Sequence, residues 1–240
     1  LSLALPQTHT GRWLDEFLRG LRRAANKFCC SLAGGDTTRR DEILINVAVV
    51  GEVRKGQAVL RSGAKPDDVI YVSGRLGEAE LGLRLLRSGG TFAGTRGSAL
   101  KKHLYPEPRL ALGQWLAEKR LATALMDLSD GLSSDLPRLC RSSRVGAQIE
   151  EAKLRMVSAA ATKRAVRFDG LELALNGGDD YELLFTVPRR SAAHIPRSFR
   201  GLPLTSIGEI TLGRAIFLRD KNNREYKLVA GGWDPFRGAK

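Results

Sequence analysis

"TALMDLSDGLSSDLPRLCRSS", residues 123–143, sets an apolar run that ends in acids directly against a stretch with helical spacing. "TALMDL" predicts a strand and "GLSSDLPRLCRSS" a helix, with the handover at Ser129, Asp130 and Gly131. Ser129 or Asp130 would cap that helix, because short polar side chains accept hydrogen bonds from the first free backbone N–H groups. A cap leaves Asp127 unexplained. Asp135, inside the helical stretch, reads as a solvated acid on the helix face.

Strands and helices alternate outward from this unit. "VIYVSG" predicts a strand, "GEAELGLRLLRSGG" a helix ending at Gly89-Gly90, and "PRLALGQWLAEK" a helix with Leu112, Trp115 and Leu116 inward. "YELLFTV" follows as a strand, and "LTSIGEI" with "AIFLRD" as a closing pair of strands. Toward the N-terminus, Trp13, Phe17, Leu18, Leu21, Ala25 and Phe28 recur at three and four, which marks an amphipathic helix. "LAGGDTTRR" is a Gly-rich turn carrying an acid, and "ILINVAVVGEV", residues 43–53, a buried strand. Gly, Lys, Pro and Asp interrupt both periods over residues 54–68, so a domain junction is expected there, with domains at 1–56 and 57–240. The class is mixed α/β, without a repeat at solenoid periods.

The 240 residues lack low-complexity segments, and runs such as "ILINVAVV" are far too short to span a bilayer. "LSLAL" lacks the basic flank and length of a signal peptide. Cys29, Cys30 and Cys140 match neither a zinc site nor a disulfide framework, which fits a reducing compartment, so a soluble cytoplasmic protein is expected. The net charge of +13, from 39 basic and 26 acidic residues, raises nucleic acid as a partner. The basic residues are spread in pairs such as Arg22-Arg23 and Lys101-Lys102, with no long run interleaved with aromatics. That distribution speaks against nucleic acid and for a basic surface around a site for anionic ligands.

Three clusters repeat one chemical idea: "GGDTT" at 34–38, "DLSDG" at 127–131 and "NGGDD" at 176–180. Glycine lets the backbone approach a bulky anion with its N–H groups free, and a carboxylate is what Mg²⁺ accepts. Each cluster alone would pass as a Gly/Asp turn. Together they point to phosphate and a divalent cation, since carboxylates repel phosphate unless a cation intervenes. No P-loop, protein-kinase signature or dinucleotide fingerprint is present. His9, His103 and His194 have no partner at ligand or triad spacing and read as solvent-facing or capping residues, so no covalent nucleophile is expected.

"LAGGDTTR", "VVGEV", "LRSGAKPDDVIYVSGRLGEAELGL", "YPEPRL", "MDLSDGLSSDL", "LNGGDDYELLFTV" and "IGEI" together resemble the thiamine-monophosphate kinase family, in order and at compatible spacing over nearly the whole chain. The resemblance implies a two-domain fold similar to aminoimidazole ribonucleotide synthetase, an active site between domains, and a homodimer joined through a barrel. It implies transfer of the γ-phosphoryl of ATP to thiamine phosphate with several Mg²⁺ ions and no phosphoenzyme. It further implies a family segment ahead of Leu1 carrying more metal-binding acids, so the N-terminal domain is expected to be incomplete. Another ATP-using member of the superfamily, or a nucleotide-binding paralogue without catalysis, stays open as an alternative.

Carried onto matching positions, the resemblance gives Gly35, Asp36, Arg61 and Ser129 to ATP, and Asp36, Asp127 and Asp130 to metal. Asp130 would cap the following helix as well. Asp179 stands where the family has a glutamate that contacts substrate, one methylene shorter. Trp233 in "GGWDPF" matches the aromatic that meets the thiamine portion, where an indole face suits a cationic thiazolium. A C-terminal anchor packed on the domain is the competing reading of Trp233.

Overall fold

In the computed structural model, which describes residues 1–89, 95–157 and 168–236, the chain divides into two units, Leu1–Val53 and Arg54–Lys240. The first unit holds β1 (Ser2–Leu5), α1 (Arg12–Lys27), β2 (Asp36–Arg39) and β3 (Leu44–Asn46). β1 lies between the other two strands, parallel to β2 and antiparallel to β3. The three-and-four spacing that predicts α1 places Trp13 and Phe17 one turn apart, with their rings stacked at 5.7 Å.

Two expectations fail in this unit. "GGDTTRR" is a turn only as far as Gly35: the Asp36 N–H donates to the Leu1 carbonyl at 3.1 Å, and β2 then runs in register with β1. The segment 43–53 is neither buried nor a long strand. β3 is three residues at the sheet edge, and Val49 and Val50 beyond it are 73% and 93% exposed. β3 runs antiparallel to β1 with Asn46 opposite Ser2, so the segment beyond Asn46 has run past the start of β1 and leaves its ladder.

The second unit runs through β4 (Val69–Ser73), α2 (Glu78–Arg87), α3 (Thr95–Leu104), α4 (Leu110–Glu118), β5 (Ala124–Leu128), α5 (Leu132–Ser143) and β6 (Gly146–Glu150). It continues with α6 (Gly170–Asn176), β7 (Glu182–Val187), β8 (Ser198–Phe199), β9 (Leu202–Thr211), β10 (Ile216–Arg219) and β11 (Glu225–Lys227). Gly90, expected at the end of the helix that became α2, lies outside the described residues. The sheet order is β11-β10-β6-β9-β4-β7-β5, with β8 paired to β9.

β4 is buried on both faces, which is why its sequence is a continuous apolar run. Ile70 and Val72 join Leu132, Leu136 and Leu139 of α5 in one core, while Tyr71 joins Leu112 and Leu116 of α4 in another. Successive strand residues point to opposite faces, so helices cover the sheet on both sides. The closing strands β9 and β10 are not partners, because β6 pairs with both and separates them. "GAQIE" gave no sequence signal for this insertion, its five residues being broken by glycine and glutamine.

α2 and α3 approach closely through Gly82, where an added Cβ would lie 2.2 Å from the Ala99 carbonyl oxygen. α5 begins after Gly131, at φ 98°, with no side-chain cap. Neither Ser129 nor Asp130 caps it, in contrast to the expectation for both residues.

Candidate functional site

Asp127 is the fourth residue of β5 and is exposed, with no hydrogen bond to its carboxylate among the described residues. The turn after β5 is held from inside. Asp135, fully buried, accepts the N–H groups of Ser129 and Asp130 on one oxygen, each at 3.0 Å, and Arg138 at 2.6 Å on the other. Burial raises its pKa above the usual carboxylate range, against the pull of the Asp130 N–H and Arg138. Asp135 is therefore the organiser of the turn, not a solvated acid on the helix face. Arg138 also bonds the Asp130 carboxylate, so that acid is already oriented by a cation.

The "NGGDDY" turn is zipped to the end of β5. Asp179 N–H donates to the Ser129 carbonyl and Tyr181 N–H to the Leu128 carbonyl, both at 2.8 Å. Asp179 and Tyr181 hold left-handed backbone at φ 63° and 47°, a conformation that aspartate tolerates better than a longer acid. The Tyr181 hydroxyl donates to Asp179 at 3.1 Å. Burial, and then the charges of Asp179, Asp127 and Asp130, push the pKa of this tyrosine up, so three carboxylates share one field. Asp180 points the other way: buried, it accepts the N–H groups of Gly77 at 2.6 Å and Ala79 at 3.1 Å, fixing the start of α2. Burial lifts its carboxyl to about 7 despite those donors.

The C-terminal segment closes on this turn through its backbone. Trp233 N–H donates to the Asp130 carbonyl at 3.0 Å, and Gly231 N–H to Ser133 Oγ at 3.0 Å. A Cβ at Gly232 would sit 1.9 Å from the Asp130 carbonyl oxygen, so only glycine allows the approach. The indole of Trp233 is left 66% exposed, too open for a core anchor.

These turns and the α2–α3 pair line a cavity of about 680 Å³ that brings together Ser129, Asp130, Asp179 and Trp233. Asp127 stands beside it, within the field felt by Tyr181. Arg61 does not line it. Arg61 lies in the irregular segment before β4, where Ser143 Oγ accepts the N–H groups of Gly63 and Ala64 at 3.1 and 3.2 Å and donates to the Arg61 carbonyl at 3.3 Å. Gly35 and Asp36 belong to the first unit, and Asp36 accepts the Thr37 N–H at 2.8 Å. Among the described residues no three histidine, cysteine or acidic side chains gather to hold a metal.

Sequence reasoning missed three groups. His103, expected at the solvent or in a cap, lines the cavity with Nδ1 buried and without a hydrogen-bond partner among the described residues. Glu182, buried at the start of β7, accepts Ser73 Oγ at 2.5 Å, Arg109 at 2.6 and 2.8 Å, and Lys102. Burial would raise its pKa, but Arg109, Lys102 and Ser73 bring it below the ordinary value. This cluster ties the end of α3 and the start of α4 to the sheet, so it braces the cavity wall. Asp135 is the third. His103 and Glu182 are recognised only by what the fold brings to them from distant sequence, whereas the partners of Asp135 are three to six residues away and its burial is what the sequence does not show.

Residues 1–53 match the AIR synthase related protein family over its N-terminal domain, and residues 65–221 match its C-terminal domain. The chain is 39% identical over 226 residues to thiamine-monophosphate kinase of Escherichia coli O157:H7, an alignment spanning 92% of this chain and 68% of that protein. The solved structure "AaThiL complexed with AMPPCP and TMP" is similar at a TM-score of 0.79 and 28% identity, over 98% of this chain and 72% of the other. Thiamine monophosphate kinase from Aquifex aeolicus gives a TM-score of 0.79 at 30% identity, over 94% and 73%.

Proposed function

The chain belongs to the thiamine-monophosphate kinase family of AIR synthase related proteins, and from that membership we propose that it transfers the γ-phosphoryl group of ATP to thiamine phosphate. A phosphate oxygen of thiamine phosphate attacks the γ-phosphorus, the bond to the β,γ-bridging oxygen breaks, and ADP leaves with that electron pair. Thiamine diphosphate is the other product. The observation that carries this reading is the cavity that unites Ser129 and Asp130 of one acid turn with Asp179 of another and the exposed indole of Trp233.

Each side chain has a task in such a reaction. Trp233 offers a π-face, and Asp179 a negative charge, to the thiazolium of thiamine phosphate. Ser129 hydrogen-bonds ATP, and the Arg61 guanidinium holds a fixed positive charge against its phosphates. The donor chemistry fits Mg²⁺: Asp127 is an exposed carboxylate without a hydrogen bond among the described residues, and its charge is felt at Tyr181 together with those of Asp179 and Asp130. Within the second unit, Asp127 and Asp130 would hold it. Bound there, Mg²⁺ supplies charge neutralisation between the reacting phosphates. Arg138 fixes Asp130 and Asp135 fixes the turn, so these groups are in place before the ligands arrive.

We further propose a homodimer joined through the first unit, where Ile45, Val47, Val49 and Val50 expose apolar surface. No helix among the described residues is long and apolar enough to cross a membrane. The free cysteines accord with a reducing cytoplasm.

The test is a coupled analysis of products. With Mg-ATP and thiamine phosphate, ADP and thiamine diphosphate should form in equal amounts, and Asp127→Asn should lower the rate by about 10²-fold or more. Mg-ATP binding or hydrolysis without thiamine diphosphate would overturn this reading in favour of a nucleotide-binding paralogue.

A further inference from the structure

Asp179 and Tyr181 flank the buried Asp180, and unlike it both are exposed. Their side chains meet: the Tyr181 hydroxyl donates to Asp179 Oδ1 at 3.1 Å, and no other hydrogen bond reaches this carboxylate among the described residues. The Asp179 backbone is already fixed, by its N–H on the Ser129 carbonyl at 2.8 Å. What stays free in such an aspartate is its side-chain torsions, and a hydrogen bond to one carboxylate oxygen removes most of that freedom. Tyr181 holds its place under strain. Its φ of 47° lies in the left-handed region, where a bulky residue is an outlier and glycine or asparagine sits more easily. Strain of this kind persists where something else requires the residue. The backbone bond to the Leu128 carbonyl does not require a tyrosine, since any residue but proline would donate it. Core packing does not require it either, because the side chain is left 38% exposed. The hydroxyl on Asp179 is what only this residue brings.

The two acids beside the Trp233 indole differ in how they are held. Arg138, a cation, bonds Asp130, whereas Asp179 is bonded by a neutral hydroxyl. A neutral donor orients a carboxylate and leaves its whole negative charge for a cationic ligand. Resting on the proposed kinase reading, we propose that Tyr181 is a positioning residue: it locks the Asp179 carboxylate for the thiazolium of thiamine phosphate and so helps to select a cationic ring. The hydroxyl occupies Oδ1 and leaves Oδ2 open. Ordering of the carboxylate then precedes binding, and the ligand does not bear its entropic cost.

Calorimetric titration of the full chain tests this with thiamine phosphate, with Mg-ATP, and with the deaza analogue of thiamine phosphate, in which a neutral thiophene replaces the thiazolium. Tyr181→Phe keeps the ring and the backbone and should weaken thiamine phosphate about fivefold, the worth of one hydrogen bond. It should leave the thiophene analogue and Mg-ATP within about twofold, since neither presents a thiazolium to Asp179. Asp179→Asn removes the charge with a residue that suits left-handed backbone. In that background Tyr181→Phe should change thiamine phosphate affinity by less than about twofold, because a residue that acts through Asp179 has no charge left to position. Equal weakening of thiamine phosphate and its neutral analogue, the same loss in the Asp179→Asn background, or no loss at all would overturn the assignment. A parent chain that binds Mg-ATP but not thiamine phosphate would instead remove the kinase reading, and the positioning role with it.

Discussion

At Asp135 a single carboxylate organises the turn that carries Ser129 and Asp130. Removing it strands two inward N–H groups and one arm of Arg138, so Asp135→Ala should cost about 2–4 kcal/mol of stability, read from the urea unfolding midpoint. Mg-ATP affinity should fall with it; an unchanged midpoint would show that the turn holds itself. Asp180 allows a test by pH. Its ordinary value is 3.8 and its folded value about 7. Between the two, the folded chain keeps a proton that the unfolded chain has released, so stability falls as pH rises through that window and levels off above it. Asp180→Asn cannot titrate there. From pH 5 to pH 8 the parent should therefore lose stability relative to this variant in paired unfolding curves, and a gain would contradict the assignment. These two acids also mark the limit of sequence reading. Asp130 and Asp179 were legible because each adjoins glycine, and Asp127 because it shares a cluster with Asp130, but Asp135 is buried only when its own helix α5 packs on the sheet, and Asp180 only when α2 starts against it.

Elements legible in the sequence included those with a strong apolar period: α1, α2, α4, α5 and the strands β4, β7 and β5, the last at the sheet edge. The edge and inserted strands β2, β6 and β11 are short and polar, and their partners alone define them. The reverse error occurred at 43–53, where apolar composition predicts burial that the small sheet of the first unit does not provide. Contacts between helices follow the same division. Gly82 reads as an ordinary glycine in a helix, yet α3 lies against it. Gly82→Ala should gain about 1 kcal/mol of helix propensity and lose more to the clash with the Ala99 carbonyl, for a net cost of about 1–3 kcal/mol. Thermal unfolding measures the sign: a rise in Tm would mean that α3 yields without strain.

For the whole molecule, association is the property most open to test. The exposed apolar row of the first unit should disappear from solvent between two chains, so Ile45→Glu with Val47→Glu should convert a dimer to a monomer in sedimentation velocity at micromolar concentration. A parent that already sediments as a monomer would refute that role. The overall α/β alternation was legible because each strand of the second unit's centre is followed by a stop signal, whereas the sheet order was not, since it depends on pairings between remote segments. β4 illustrates what this ordering entails during synthesis. It is the first strand of its sheet to be made, but its neighbours β7 and β9 come much later; Ser73 and its partner Glu182 are 109 residues apart. At about 5–20 residues per second, a ribosome needs several seconds or more to cover that interval. Throughout it "VIYVS" has both ladders and both apolar faces open. The central strand is thus the first of its sheet to emerge and stays open until β7 and β9 follow, which makes the nascent chain, more than the finished fold, the form exposed to mispairing.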